Sequence, residues 1–194
     1  LMIDNQYIMS PKDLKTLDFL DKVLDAGVRV LKIEGRGRSP EYVKVVTRVY
    51  RQAVDAWLNG EWSSEKLEQW NKDLSSVYNR GFWDGYYLGQ KVGEWSKGYG
   101  SQATTKKTFV GTVTNYFKNI GVAEIKIETG NLTVGDRIYI MGTTTGVYED
   151  TLEEIRVDLK TTDKAIKGEF CSIPTKSLIR RGDKVYVIED IIPE

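Results

Sequence analysis

The hydrophobic residues change their spacing at one point in the chain, and this change most limits what the chain can fold into. Up to residue 92, apolar residues recur at helical intervals, whereas after residue 107 they alternate with polar residues as in half-buried strands. Residues 93–107 are rich in glycine and small polar residues and have no sustained period. We therefore predict an α+β chain with a first domain at 1–92, a linker at 93–107 and a second domain at 108–194.

The start of the first domain predicts a helix followed by a strand. Ser10 and Pro11, with Asp13 three positions after the serine, are typical of a helix N-terminus, and leucines at helical spacing follow until Gly27. Residues 28–33 then alternate in character and are rich in β-branched side chains, which indicates a strand.

Two further helices are predicted in the first domain. One begins after Ser39 and ends near residues 59–60; the other begins after Ser63 or Ser64 and extends to Val77. The order helix, strand, helix, helix is typical of the end of an α/β arrangement. A complete (β/α)₈ barrel needs roughly 250 residues, so this domain can supply only the last turns of one.

The second domain predicts a small closed antiparallel β-barrel. Residues 123–127 alternate apolar with charged side chains, and about six short strands separated by turns can be assigned in all. Residues 134–140 and 181–187 repeat one pattern, a Gly-Asp pair before an apolar strand. Two similar hairpin corners favour a closed barrel.

Composition excludes several kinds of site within this chain. There is no histidine, and the single cysteine, Cys171, is expected to be a small core hydrophobe, so the chain cannot form a Ser-His or Cys-His pair or a His/Cys zinc site. Basic and acidic residues balance at 28 each, so contact with a polyanion would depend on a local patch. One cysteine excludes an internal disulfide, and no apolar run approaches the ~20 residues of a membrane span. We expect a cytoplasmic protein without membrane contact.

The strongest site candidates are Glu34, Arg36 and Arg38, which follow the C-terminal end of the predicted strand. Substrates bind at this end of the strands in a (β/α)₈ barrel. Two guanidiniums beside a helix N-terminus can hold a phosphate or carboxylate, and the glycines between them allow close approach of the backbone. The alternative is a Glu-Arg ion pair that only fixes the turn.

A second candidate is Arg80, which stands among aromatic residues at 82–87. Aromatic side chains with interleaved cations suit the stacking of unpaired RNA bases. The alternative, which we favour, is that these aromatics bury the junction between the two halves. The second domain contains a cluster of three basic residues, Arg180, Arg181 and Lys184. This cluster is a candidate for RNA or partner binding; the alternative is a solvated edge of the domain.

Three phrases of the first half, at residues 7–14, 32–43 and 79–89, resemble those of collagenase-like peptidases of family U32. The resemblance implies a TIM-like barrel domain and either peptide-bond hydrolysis or, as in other relatives, hydroxylation of tRNA or ribosomal RNA. Residues 132–136 and 178–183 resemble the recurring corner of the second domain of elongation factor Tu. This implies a translation-factor-like barrel.

The chain departs from the family pattern at three positions. Gly37 and Arg38 stand where methionine and lysine are common, and Lys15 stands where relatives that resemble iron–sulfur proteins have a cysteine. A lysine ammonium cannot replace a thiolate toward iron. We therefore expect no metal or cofactor in this chain; the resemblance leaves an iron–sulfur cluster or metal to the rest of a longer protein, although Lys15 counts against it.

These observations predict the C-terminal part of a family U32 protease that is inactive, or only partly active, alone. The chain begins without a leader, which predicts that the start of the protein lies upstream. Its partner would be a protein or structured RNA substrate, and self-association would cover any apolar face left exposed. The alternatives are a tRNA or rRNA hydroxylation factor and a stand-alone RNA- or protein-binding module. If Glu34 takes part in hydrolysis, it would act as a general base.

Overall fold

A computed structural model of the chain describes residues 11–96 and 100–191. The chain divides into two compact units, with the boundary between Thr104 and Thr105. The first unit carries the helices and the second an antiparallel sheet, so the mixed helix-and-sheet fold class is confirmed. The predicted domain limits, 1–92 and 108–194 with a linker at 93–107, stay a prediction.

The first helical segment is shorter than predicted. A 3₁₀ turn spans Leu17–Phe19 and leads into helix α1 at Leu20–Asp25. The predicted start at Ser10 lies outside the described residues, but Asp13–Leu14 form strand β1 instead of helix. This strand pairs in parallel with Phe82–Trp83, the later strand β2. Residues 13 and 82 are nearly 70 positions apart, and their pairing overrides the local helix signal. The sequence near residue 13 cannot show this distant pairing.

The two longer helices form where spacing and capping residues predict them. Helix α2 spans Pro40–Leu58 and helix α3 spans Ser64–Ser76. The Ser63 hydroxyl accepts a hydrogen bond from the Lys66 N–H and so caps α3. Apolar residues from all three helices form one core, whose buried members are Leu17, Leu20, Leu24, Val45, Val46, Val49, Ala53, Ala56, Trp70, Leu74 and Val77.

The prediction of a strand at 28–33 is wrong. These residues have no regular secondary structure, and no described strand lies beside them. Leu31 and Ile33 pack against the helical core, whereas Val30 is 84% exposed. The alternation in the sequence thus corresponds to alternating burial, but a strand also needs a neighbour to accept its backbone hydrogen bonds.

The second unit is built from ten strands among the described residues, more than the six predicted. Their inward faces follow the predicted alternation: Ala123, Ile125 and Ile127 are all fully buried. The strands are β3 Thr105–Phe117, β4 Val122–Ile127, β5 Asn131–Thr133, β6 Arg137–Gly142, β7 Gly146–Thr151, β8 Ile155–Val157, β9 Lys160–Thr162, β10 Lys164–Ile166, β11 Phe170–Pro174 and β12 Lys184–Asp190.

Eight of these strands form one antiparallel sheet in the order β7-β6-β12-β3-β4-β11-β8-β9, while β5 and β10 pair separately. The order has two ends, β7 and β9, with no hydrogen-bonded ladder between them in the described part of the chain. Closure into a barrel is therefore not confirmed. The resemblance to the second domain of elongation factor Tu stays a prediction.

The first Gly-Asp corner is a tight turn that a carboxylate closes. Gly135 has a φ of +94°, a conformation that favours glycine. The Asp136 N–H donates to the Thr133 carbonyl at 3.0 Å, and the Asp136 carboxylate accepts from the Thr133 N–H at 2.8 Å. The side chain and the backbone of one aspartate thus hold the same residue.

The second corner repeats this geometry. Gly182 has a φ of +92°, the Asp183 N–H donates to the Arg180 carbonyl at 3.1 Å, and the Asp183 carboxylate accepts from the Arg180 N–H at 2.9 Å. The repeated sequence pattern therefore encodes a repeated turn. Asp183 also accepts a hydrogen bond from the Thr145 hydroxyl at 2.6 Å.

None of the helices in the described ranges, 11–96 and 100–191, combines the length and apolar character needed to cross a membrane.

Candidate functional site

The turn at residues 34–38 is held by its own backbone and by the Glu34 carboxylate. The Arg38 N–H donates to the Gly35 carbonyl at 3.0 Å, and Gly37 adopts a φ of +71° that the turn requires. Glu34 accepts a hydrogen bond from the Arg36 N–H at 2.7 Å. Glu34 thus fixes the turn through the backbone, and not through the Glu-Arg ion pair considered as the alternative.

The Arg38 side chain is held within the first unit by an ion pair and two cation–π contacts. Its Nη2 lies 2.5 Å from Asp13 Oδ1, and its guanidinium stacks on the rings of Tyr78 and Tyr42, at 4.6 and 5.1 Å from their centroids. The Arg38 side chain is only 17% exposed. Ion pairing and cation–π contact on both sides leave it little freedom to reach a ligand, so its contribution is to hold the turn against the helical unit. Burial raises the pKa of the Tyr42 phenol above its ordinary value, while Arg38 opposes that rise.

Asp13 joins the two segments of the first unit in which predicted site residues lie. One carboxylate oxygen binds Arg38, and the other accepts from the Arg80 N–H at 2.9 Å. The Asp13 backbone N–H donates to the Gly81 carbonyl at 2.8 Å, next to the β1–β2 pairing. One side chain therefore brings the 34–38 turn and the 79–81 turn together. Sequence reasoning missed Asp13 as a site residue because it assigned the aspartate to a helix cap.

The turn that carries Arg80 is fixed by Asn79. This side chain is 3% exposed, donates to the Val77 carbonyl at 3.0 Å and accepts from the Gly81 N–H at 3.0 Å. The half-buried Arg80 side chain makes one hydrogen bond, from Nε to the Tyr78 hydroxyl at 3.4 Å, and this contact raises the pKa of Arg80. The guanidinium carries no ion pair within the described ranges.

The Arg36 guanidinium, like that of Arg80, forms no ion pair with a described residue. Its side chain is exposed, and no hydrogen bond or ion pair links its guanidinium to another described residue. Of the three predicted arginines of the first unit, Arg38 is therefore committed to the fold, whereas Arg36 and Arg80 keep donors free for an anionic group. Glu34, Arg36 and Arg80 stay predicted substrate-binding residues, whereas the contacts of Arg38 oppose the same prediction for it.

The aromatic residues after Arg80 divide into a half-buried and an exposed set. Phe82 packs against the helical core, and Trp83 contacts Tyr86 edge-on with ring centroids 5.3 Å apart. Tyr86 and Tyr87 are 63% and 66% exposed within the first unit. Two tyrosine rings are thus available at its surface for stacking.

Lys15, which stands at the position of the family cysteine, is held by its own contacts. Its ammonium lies 2.7 Å from Asp18 Oδ2, donates to Asn71 Oδ1 at 2.6 Å and sits over the Phe82 ring at 5.1 Å. An ammonium engaged in this way offers no lone pair to a metal.

The residues present do not fit an iron–sulfur cluster. No group of three or more His, Cys, Asp or Glu side chains within the described ranges is arranged to hold a metal ion. The only thiol, Cys171, is 1% exposed in the core of the second unit, and burial raises its pKa to about 12. This supports its interpretation as a core hydrophobe.

The basic residues of the second unit do not share one ligand position. Arg180 donates from Nη1 to the Thr145 hydroxyl at 3.3 Å, whereas Lys184 donates to the Thr112 hydroxyl at 2.8 Å and lies over the Phe109 ring. Arg181 is exposed. Arg180, Arg181 and Lys184 stay predicted RNA- or partner-binding residues.

Comparison with known proteins identifies the family to which this site belongs. Residues 2–97 match the family model for peptidase family U32. The chain is 55% identical over 186 residues to a collagenase of Porphyromonas gingivalis, an alignment that covers 96% of this chain and 52% of the relative. It is 33% identical over 195 residues to an uncharacterized protease of Methanocaldococcus jannaschii, covering 99% of this chain and 47% of the relative.

A third relative has a name of a different kind. The chain is 31% identical over 158 residues to tRNA hydroxylation protein P1 of Bacillus subtilis, covering 78% of this chain and 36% of the relative. The chain belongs to peptidase family U32, as its three phrases predicted. It spans about half the length of the collagenase and of the uncharacterized protease named above.

Proposed function

We propose that this chain is a substrate-binding part of a U32 family peptidase that acts on polypeptides. The proposal depends on one observation: Asp13 joins the turns of Arg36 and Arg80 and leaves these two guanidiniums without an ion-pair partner in the described part of the chain. The relative named collagenase, at 55% identity, supports a polypeptide substrate.

The chemistry of the two arginines suits a carboxylate. A guanidinium presents parallel N–H donors that match the two oxygens of a carboxylate, and Gly35 and Gly37 on either side of Arg36 have no side chains to crowd it. A polypeptide offers carboxylates at its C-terminus and on its acidic side chains. Arg36 and Arg80 would then position the substrate, and Glu34 would lie at the edge of the same turn.

We propose further that the chain does not cleave peptides alone. It contains no histidine, and its one thiol is buried with a raised pKa, so neither a Ser-His nor a Cys-His nucleophile can form within it. The chain spans about half of its curated relatives, and we place the main reaction centre in the other half. A cytoplasmic setting belongs to the same proposal.

The proposal is tested by retention of the 194-residue chain on immobilised gelatin, with release of fluorescent peptides from labelled gelatin measured in parallel. We expect retention without cleavage. Arg36→Ala and Arg80→Ala should each weaken retention by roughly tenfold, the loss typical of one charge-assisted contact. Arg51→Ala is the matched control, because Arg51 is an exposed arginine of the same unit that is already paired with Asp55.

Two results would contradict the proposal. Equal retention of all three variants would show that the exposed arginines do not bind the substrate. Efficient gelatin cleavage by the chain alone would show that it contains its own reaction centre.

A second candidate function, recognition of tRNA for hydroxylation, is favoured by a specific observation. Tyr86 and Tyr87 expose their rings in the unit that also carries Arg80, an arrangement suited to stacking single-stranded bases. Several tRNA hydroxylation proteins are also relatives, at 30–35% identity. In a mobility-shift assay with tRNA, Tyr86→Ala combined with Tyr87→Ala should then abolish binding.

The same assay tests the basic residues of the second unit. Arg180→Ala with Arg181→Ala should weaken tRNA binding and flatten its dependence on salt if these residues contact phosphates. The tRNA proposal would replace the polypeptide proposal if two results were found together. The unchanged chain would bind tRNA tightly and the tyrosine and arginine variants would not, and the unchanged chain would not be retained on gelatin.

A further inference from the structure

We infer that the second unit carries a groove that binds an extended polypeptide through an apolar side chain that is adjacent to a lysine or arginine. The groove lies between the hairpin that joins β8 to β9 and the hairpin that joins β3 to β4. It is in the other unit from Arg36 and Arg80, so this inference goes beyond the proposed function and either can fail alone.

The first side of the groove is a leucine in an unusual conformation. Asp158 and Leu159, which close the β8–β9 hairpin, have φ values of +49° and +64°. Two-residue hairpin turns with positive φ at both positions usually contain Asn-Gly or Asp-Gly. A leucine there is strained, because its Cβ crowds the backbone. Leu159 is also 91% exposed, so no core contact compensates for the strain.

The opposite side is formed by the β3–β4 hairpin. Ile120 is 70% exposed at its tip, and Phe117 is 41% exposed where β3 ends. Between the two hairpins run the ends of β4 and β11, where Val122 lies opposite Pro174. Apolar side chains thus project from both hairpins over an apolar floor.

These residues enclose a cavity large enough for an amino-acid side chain. Its volume is about 470 Å³, and it is lined by Phe117, Ile120, Val122, Leu159, Ile173 and Pro174 among others. A second cavity of about 200 Å³ adjoins it and shares Ile120, Glu154 and Pro174 with it. Ligand pockets in proteins have volumes of this order and are mostly apolar. Because the two cavities share lining residues, together they offer room for neighbouring side chains of an extended chain.

The charged residues at the rim of the groove determine which residue of the bound polypeptide can lie next to its apolar side chain. Arg156 is paired with Glu154, and Lys176 lies 3.0 Å from Asp150, so these four charges neutralise one another. Glu153 lines the smaller cavity, is exposed, and forms no ion pair with another described residue. Among the charged residues that line the two cavities, three carboxylates thus face two cations, which leaves one negative charge in excess. Glu153 interacts electrostatically with Lys176, and the excess negative charge on this side of the groove complements a lysine or arginine of the bound polypeptide.

Binding also accounts for Leu159. A glycine at this position would remove the strain but also the apolar side of the groove. Strained residues are retained where their geometry serves a site. The structure therefore gives opposite expectations for stability and for binding at one position, which makes the inference sharply testable.

The test is an NMR titration of the ¹⁵N-labelled 194-residue chain with a blocked peptide of sequence Gly-Gly-Leu-Lys-Gly-Gly. We expect shifts of the backbone N–H signals of Val122, Leu159 and Ser172, and weaker binding of the matched peptide in which glutamate replaces lysine. Leu159→Gly should weaken binding by roughly tenfold, as expected when a leucine contact is lost, and should raise the thermal unfolding midpoint. Ile120→Ser should also weaken binding.

Two control variants distinguish specific binding in the groove from nonspecific hydrophobic binding. Ile166→Ser removes an apolar side chain that is 52% exposed outside the groove and should leave peptide binding unchanged. Glu153→Gln should abolish the preference for lysine over glutamate while leaving the shifts in place. The inference is overturned if Leu159→Gly binds the peptide as the unchanged chain does, or if the peptide produces no shifts in the groove.

Discussion

The carboxylates of Asp183 and Asp136, at the two Gly-Asp corners, accept hydrogen bonds that hold those corners together. Asp183 is 6% exposed and accepts hydrogen bonds from the Thr145 hydroxyl and the Arg180 N–H. Asp136, at the equivalent corner, is half-buried, and among the described residues its carboxylate accepts only from the Thr133 N–H. Since buried donors left without acceptors cost free energy, the two aspartates should differ in their contributions to stability.

Asp183→Ala should lower the free energy of unfolding by about 2 kcal/mol, because it leaves the Thr145 hydroxyl and the Arg180 N–H unsatisfied. Asp136→Ala, the matched variant at the twin corner, should cost about 1 kcal/mol because one donor loses its partner. Urea unfolding followed by circular dichroism measures both. Equal losses would contradict the distinction drawn from burial.

Tyr148 predicts a pH dependence at the alkaline end. Burial, and then its hydrogen bond to Asp150, raises the pKa of Tyr148 from 10.0 to about 12. A raised pKa means that the stabilisation is fully present below pH 10 and is lost as the pH rises from 10 through about 12. The stability difference between the unchanged chain and Tyr148→Phe should thus be constant below pH 10 and shrink above it. Urea midpoints measured across this range test the effect; a difference that stays flat to pH 12 would contradict it.

At the scale of elements, the sequence predicted what depends on local order and missed what depends on distant contacts. Helices α2 and α3 agree with prediction because apolar spacing and capping residues act within a few positions. The strand at 28–33 does not form, because no described strand lies beside it to accept its backbone hydrogen bonds. The sheet order could not be predicted either, since β12 pairs with β3 and β6, far from it in the chain.

The candidate site shows the same division. Glu34, Arg36 and Arg38 were identified because they follow a predicted strand, which does not form, and Arg80 because aromatic residues follow it; all four lie in or beside glycine-containing turns. The role of Asp13 was missed, since its contacts with Arg38 and Arg80 span 25 and 67 positions. Local sequence thus finds charged groups near turns, whereas only the tertiary fold shows which of them are already paired.

The two long helices begin with serines that should differ in effect. The Ser63 hydroxyl accepts a hydrogen bond from Lys66 N–H, whereas the Ser39 side chain makes no capping bond. Ser63→Ala should therefore lower the free energy of unfolding by about 1 kcal/mol, and Ser39→Ala by a few tenths of this. Thermal unfolding of the two variants measures the difference. A larger loss for Ser39→Ala would show that capping by Ser63 is not what stabilises α3.

For the whole molecule, two separate hydrophobic cores follow from the two units. The helical core and the sheet core share no buried residue among those described. Each core buries its own apolar side chains, as expected of units that can fold independently. The sheet of the second unit would then keep its structure when the helices of the first unit unfold.

Scanning calorimetry of the 194-residue chain should accordingly show two transitions. Val49→Ala, in the helical core, should lower one of them, and Ile125→Ala, in the sheet core, should lower only the other. Both side chains are fully buried, so each truncation should cost the affected unit about 2–4 kcal/mol. A single transition that both variants shift together would contradict independent folding.

The burial of Cys171 has a practical consequence for spectroscopy. With 1% exposure and a pKa of about 12, this thiol will not react with maleimide dyes or spin labels while the chain is folded. A cysteine introduced at one exposed position in each unit would therefore be labelled alone, without removal of the native one. The chain is in this sense already prepared for fluorescence energy transfer or electron-spin distance measurements between its halves.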